Sequence, residues 1–154
     1  MERIPPFVVV GIDGEESSIA ALRWAVPEAW AHRARVLAVH AYSEPVVGDA
    51  TMLPPDTFAH AEEVQRSAQE WRDTALAALP EYPEAEVEVQ VRLGPAGPVL
   101  TEAACGALLL VVGSHGRHPL HRLVYGSVSR YCLGHARCPV VAVPFHRDRV
   151  DAVN

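Results

Sequence analysis

Residues 108–116 read Leu-Leu-Leu-Val-Val-Gly-Ser-His-Gly, and after nine intervening residues come Gly126-Ser127-Val128-Ser129. The five apolar residues Leu108 to Val112 are consecutive and show no polar alternation. That pattern suits a strand covered on both faces, which implies a parallel sheet. The strand is expected to stop at Gly113, with Gly113, Ser114, His115 and Gly116 forming a loop that needs positive φ or close backbone approach. A helix then opens at Gly126-Ser127 and runs through Val128, Ser129, Tyr131 and Leu133 until Pro139 halts it near Cys138. Its first turn offers free backbone N–H groups, a hydroxyl and the positive end of the helix dipole to an anion. A phosphate is the anion expected.

Working outward, Phe7 to Ile12 reads as the first strand, and Gly11-Ile12-Asp13-Gly14 ends it. Asp13 stands at the carboxyl end, the edge where open α/β sheets bind ligands. There it is placed to accept hydrogen bonds from a ribose hydroxyl or an adenine amine. With Gly14 behind it, it also suits a plain turn or a helix cap. Ser17 or Ser18 is expected to cap a helix carrying Ala21, Leu22, Ala25, Val26 and Ala29 on one face. Pro27 should kink or break that helix. Trp24 and Trp30 read as packing residues.

Arg35 to Tyr42 gives a second strand with His40 and Ala41 at its exit. Residues 43–57, with Pro45, Gly48, Pro54 and Pro55, form a long connection that is either a lid over the site or a surface loop without a role in binding. Phe58 to Leu79 carries a helical apolar stripe through Ala61, Val64, Ala68, Trp71 and Ala75. Residues 85–93 alternate with a period of two, marking a strand at a sheet edge. Gly94 to Pro98 turns into a short helix through Val99, Leu100, Ala103 and Ala104. Val140 to Val143 supplies the last strand, whose exposed apolar edge invites pairing with a second copy.

A chain of 154 residues fits one domain, able to bury about two thirds of its unfolded surface. We expect that domain over residues 1–146 and a polar tail over 147–154. All 13 basic residues are arginine. A Walker-type phosphate loop is therefore excluded, because its lysine reaches the terminal phosphates. A formal net charge of −6 argues against nucleic acid as a partner. The apolar runs are strand-sized and the first residues lack a signal-peptide layout, so a cytoplasmic protein without membrane contact is expected. The three cysteines form no CxxC and read as buried, inert thiols. His115, His118 and His121 recur at intervals of three, but a metal site needs converging ligands, and none is assigned. No carboxylate pair, activated nucleophile or lysine is evident, so no catalytic residue is assigned.

The pattern Gly113-x-x-Gly116-x9-Gly126-Ser127 resembles the universal stress proteins, in the branch that binds ATP. The resemblance extends to Asp13, to Ala21-Leu22-Arg23-Trp24-Ala25, to Gly94-Pro95-Ala96 and to the run from His135 to Val141. Ala107 stands where relatives usually carry an aspartate. The resemblance implies a Rossmann-like α/β domain with five parallel strands in the order 3-2-1-4-5 and helices on both faces. It implies adenine near Ala41, recognised through backbone groups, and ribose near Asp13. Phosphates would lie on backbone groups of Gly113, His115, Gly116 and Ser127 and on the hydroxyls of Ser127 and Ser129. Ile12, Gly14, Val112, Gly126 and Val128 complete the candidate set. Arg117 either adds a charge-assisted contact or faces solvent. A magnesium ion between phosphate and Ser or Asp oxygens is an expected companion, and a homodimer through strand 140–143 the expected assembly. The function implied is a stress-response or signalling role through nucleotide-dependent conformation or partner binding. The alternatives are a dimeric interaction module that needs no nucleotide, a slow ATP hydrolase, and a binder of AMP or cyclic AMP.

Overall fold

A computed structural model describes residues 3–43, 57–114 and 126–145. Their elements alternate: β1 (Phe7–Gly11), α1 (Glu16–Ala31), β2 (Arg35–Tyr42), α2 (Thr57–Ala77), β3 (Val87–Leu93), α3 (Ala96–Ala103), β4 (Leu109–Ser114), α4 (Ser127–His135) and β5 (Val140–Pro144). The five strands form one sheet in the order β3-β2-β1-β4-β5, and every neighbouring pair is parallel. β1 is therefore the middle strand. The chain winds outward from it to β3, then returns to its other side as β4, and this reversal between β1 and β4 is a topological switch point.

Alternation along the strands divides the core into two layers. Val8, Val10, Val36, Ala38 and Val111 face one side, where they pack with Leu22, Ala25, Val26 and Ala29 of α1 and Ala68 and Ala75 of α2. Val9, Leu37, Val39, Leu110 and Val112 face the other, against Val99, Leu100 and Ala103 of α3 and Cys132 of α4. β1 and the middle of β4 are buried on both faces, which is why their sequences are unbroken apolar runs. β3 is an edge strand with Glu88 exposed, in keeping with its alternation.

Several expectations change in detail. β4 does not stop at Gly113: it pairs Gly113 with Val143 and Ser114 with Pro144 of β5. Gly113 is needed there for close approach, since an added Cβ would lie 2.5 Å from the carbonyl oxygen of Ser17. Neither Ser17 nor Ser18 caps α1 from outside; both lie buried within its first turn, behind Glu15 at the N-cap. Pro27 lies inside α1, which continues through it to Ala31. Arg33, at φ 53°, ends the helix in the left-handed region: its N–H bonds to Trp30 O and that of Ala34 to Ala29 O. Those two bonds make a Schellman ending with arginine in the place usually held by glycine. Trp24 and Trp30 are 39% and 49% exposed rather than packed inside. Trp71 is the tryptophan that packs against the core.

Candidate functional site

At the carboxyl ends of β1, β2 and β4 the sheet opens into a cleft. Gly11, Ile12 and Asp13 line it from β1, Val39, His40 and Ala41 from β2, and Val112 and Gly113 from β4. Ser17 and Ser18 close it from the start of α1, Ala96 and Leu100 from α3, and Val128 from α4. The cleft straddles the switch point, where the two neighbouring connections leave in opposite directions and separate. Its floor is apolar, through Val39, Leu100, Val112 and Val128. Asp13 is the sole carboxylate, and neither arginine nor lysine lines it among the described residues.

Hydrogen bonds set the rim. The Ser18 hydroxyl accepts from the Asp13 N–H at 3.1 Å and donates to Glu15 O at 3.0 Å, so it braces the turn between β1 and α1. Asp13 is exposed, and its Oδ1 accepts from the Glu15 N–H at 2.9 Å. The turn role and a ligand-facing position thus coexist: one carboxylate oxygen holds the turn while the residue lines the cleft. His40 Nδ1 lies 2.7 Å from Ile12 O. A carbonyl accepts, so Nδ1 carries the proton. This bond joins the exits of β1 and β2, and the ring meets Trp71 edge to face at 5.0 Å.

Ile12, Asp13, Ala41, Val112, Gly113 and Val128 are thus six expected residues that converge on the cleft. Gly14 lies off its lining. At φ 82° it makes the turn, and an added Cβ would meet the Trp71 ring at 2.6 Å. Gly126 is the N-cap of α4 and has no side chain to cap with; Ser127 follows it, exposed, as the first helical residue. The first-turn N–H groups therefore lack both intrahelical partners and a side-chain cap. Ser129, expected to offer its hydroxyl to phosphate, is 1% exposed, and its hydroxyl donates to Gly126 O at 3.2 Å. The Ser114 hydroxyl likewise donates to Val143 O, tying β4 to β5. His115, Gly116, Arg117, nearly all of the expected lid and the tail lie outside the described residues.

Sequence reasoning missed Gly11, Ser17, Ser18, Val39, His40, Ala96 and Leu100 as cleft residues. A signal existed for the serines, which follow Asp13 within one turn of an amphipathic helix. For Ala96 and Leu100 there was none, because helical spacing alone does not say which side of a sheet α3 covers. Among the described residues no group of three His, Cys, Asp or Glu is placed to hold a metal ion. No described helix is long and apolar enough to cross a membrane. The Cys132 thiol is raised to about 11 by burial, whereas Cys105 is exposed, against the expectation that all three thiols are buried.

The sequence profile of the universal stress protein family matches residues 7–144, from the first residue of β1 to the last of β5. The chain belongs to this family. A universal stress protein of Mycobacterium tuberculosis is 34% identical over 148 residues, covering 94% of this chain and 49% of the relative. One of Mycobacterium bovis is 37% identical over 135 residues, covering 87% and 44%. This chain therefore spans about half the length of the curated relatives it matches. Among solved structures, a universal stress protein in complex with cAMP superposes with a TM-score of 0.65 at 27% identity, covering 91% of this chain and 97% of that one. A family member from Arabidopsis thaliana with AMP bound superposes at 0.61 and 18% identity, covering 97% and 98%. One from Archaeoglobus fulgidus in complex with dAMP superposes at 0.56 and 22%, covering 91% and 98%. At those identities the last two speak for the fold.

Proposed function

We propose that this universal stress protein binds ATP in the cleft at the carboxyl edge and acts in stress response or signalling, nucleotide occupancy altering its conformation or a partner's grip. The observation that carries this reading is the convergence of Asp13, Ala41, Gly113 and Val128, residues distant in sequence, around one apolar-floored cleft with a carboxylate on its rim. In this reading adenine lies against Ala41 and ribose meets Asp13. The phosphates extend toward residues 113–117 and the first turn of α4, where Ser127 is exposed, with magnesium between phosphate and protein oxygens. The protein is a binder with at most slow hydrolysis. It works in the cytoplasm as a homodimer through β5, which is an edge strand of the sheet, and its domain spans residues 1–146. A second reading, cyclic AMP or AMP as the ligand of the same cleft, is favoured by the relative at 27% identity that holds cAMP.

The test is to purify the protein without added nucleotide, denature it and identify any released molecule by chromatography and mass spectrometry. Thermal melts with ATP, ADP, AMP and cyclic AMP follow. A ligand present at 100 times its dissociation constant adds about 2.7 kcal/mol, which raises the melting temperature by roughly 5–11 °C for a domain of this size. ATP released or giving the largest shift supports the first reading, and cyclic AMP or AMP doing so supports the second. An empty protein with no shift from any of the four at millimolar concentration sinks both and leaves the nucleotide-independent interaction module.

A further inference from the structure

The three cysteines are far apart in sequence and close in the fold. Cys105 lies in the turn between α3 and β4, and Cys138 in the turn between α4 and β5. The two turns are neighbours at the amino end of the sheet. Leu110 donates its N–H to Pro139 O at 2.9 Å, which sets Cys138 beside the start of β4. Cys105 is reached from there through a tight turn closed by Ala107 N–H to Ala104 O at 2.9 Å and opened by Gly106 at φ 82°. Ala104, Ala107, Ala136 and Cys138 all belong to the apolar cluster between the sheet and the α3–α4 layer, which also holds Cys132. Burial raises the Cys138 thiol and the Cys105 thiol adds to the rise, while Cys138 adds to the rise that burial gives Cys132. Access separates the three: Cys105 is exposed, Cys138 half-buried and Cys132 wholly buried.

We propose that Cys105 and Cys138 form an intramolecular disulfide when the protein meets hydrogen peroxide. The exposed Cys105 thiolate attacks the peroxide O–O bond, becoming a sulfenic acid and releasing water. The Cys138 thiol then displaces the sulfenic hydroxyl, the S–S bond forms and a second water leaves. Two thiols lose two protons and two electrons, and the peroxide takes up both. Cys132 is shielded from the oxidant at 0% exposure. The bond ties the turn before β4 to the turn before β5, beneath the helices that contribute Ala96, Leu100 and Val128 to the cleft.

Because the chain has no lysine, trypsin cuts it at arginine alone and separates the three cysteines cleanly. Cys105 falls in Leu93–Arg117, Cys132 in Tyr131–Arg137 and Cys138 in Cys138–Arg147. The full-length protein is treated with hydrogen peroxide, its remaining thiols are blocked, and it is digested without reductant for mass spectrometry. The expected result is the first and third peptides joined in the monomer, released by dithiothreitol, with Cys132 found as the free, blocked thiol. The Cys105→Ser and Cys138→Ser variants should each lose the joined species while melting close to the reduced wild type. Cys105 carried to sulfinic or sulfonic acid with Cys138 still free would overturn the proposal. So would a bond from Cys138 to Cys132, or linkage found solely between two chains.

Discussion

Placing a methyl group on Gly113 tests the contact that holds α1 against the sheet. The Cβ of Gly113→Ala would stand 2.5 Å from the Ser17 carbonyl oxygen and 2.7 Å from its carbonyl carbon. Ordinary carbon contacts are about 3.5–4.0 Å, so the two segments must part by roughly 1 Å. Both partners are backbone, one in β4 and one in α1, and neither yields as a flexible side chain would. Leu22, Ala25 and Val26 anchor α1 at 1% exposure or less, so a displaced first turn strains the packing behind it. Overpacking of this kind costs about 1–3 kcal/mol. The reduced freedom of the unfolded alanine chain returns about 0.4–1 kcal/mol. The net loss is roughly 1–2 kcal/mol, a fall in melting temperature of about 2–8 °C at this chain length. Gly134→Ala is the matched control: it sits in α4 with nothing within 4 Å of its added Cβ, and should gain up to about 1 kcal/mol from helix propensity. Calorimetric melts of the two variants beside the wild type give the answer. A Gly113→Ala protein that melts as high as the wild type would refute the close approach of α1 to β4.

Arg33 and Cys132 give two further tests. Arg33 holds φ 53° at the end of α1; glycine there removes about 1–2 kcal/mol of left-handed strain and returns part of it as chain entropy. Arg33→Gly should therefore raise the unfolding free energy read from urea denaturation by a net amount of about 0.5–1 kcal/mol, and a drop would mean the guanidinium makes contacts worth more than the strain. Burial lifts the Cys132 thiol from 9.0 to about 11. The native state then keeps a proton that the unfolded state gives up, so stability is full below about pH 9 and falls as pH rises toward 11. The loss is on the order of 2–3 kcal/mol. Cys132→Ala should be less stable at neutral pH from the cavity it leaves and show a correspondingly shallower decline above pH 9; parallel slopes in pH-dependent denaturant melts would contradict the buried, neutral thiol.

Strands were the most legible part of the chain, for a physical reason. β2 was read residue for residue, because an apolar run bounded by Arg35 and Tyr42 has one way to lie in a sheet covered on both faces. β4 was read two residues short at its carboxyl end, because glycine was taken as the end of the strand. Its pairing with Val143 shows a strand position where a missing side chain makes room for a helix crossing above. The tryptophans failed in the opposite way. Spacing put Trp24 and Trp30 in a helix but did not say that the apolar stripe was already filled by Leu22, Ala25, Val26 and Ala29. The first helix turn hid the role of Ser18, since a serine within the turn can bond back to Glu15 O and still receive the N–H of Asp13.

For the cleft, the rule that ligands gather at strand exits pointed to Asp13 and the loop at Gly113, and the resemblance to the universal stress proteins added Ala41 and favoured Asp13 as a ligand residue over a plain turn. The wall from α3 came from topology, which no local pattern encodes. The chemistry of the described cleft is also lopsided: an apolar floor, one carboxylate already half engaged by Glu15 N–H, and neither arginine nor lysine among its described residues. An adenine nucleotide in it would owe its base to apolar burial at about 25 cal/mol per Å2 and its ribose to Asp13. Its phosphates would depend on the backbone N–H groups at the start of α4, where the helix dipole as a whole is worth roughly 0.3–1 kcal/mol to an anion. Most of that grip is indifferent to how many phosphates follow the first. Discrimination between ATP and AMP would then fall to His115, Gly116 and Arg117, the sequence positions beyond the end of β4. Exchanging Arg117 for glutamine should lower affinity for ATP several-fold more than affinity for AMP, as read by isothermal titration. Equal losses for the two would place the choice of ligand in the described cleft itself.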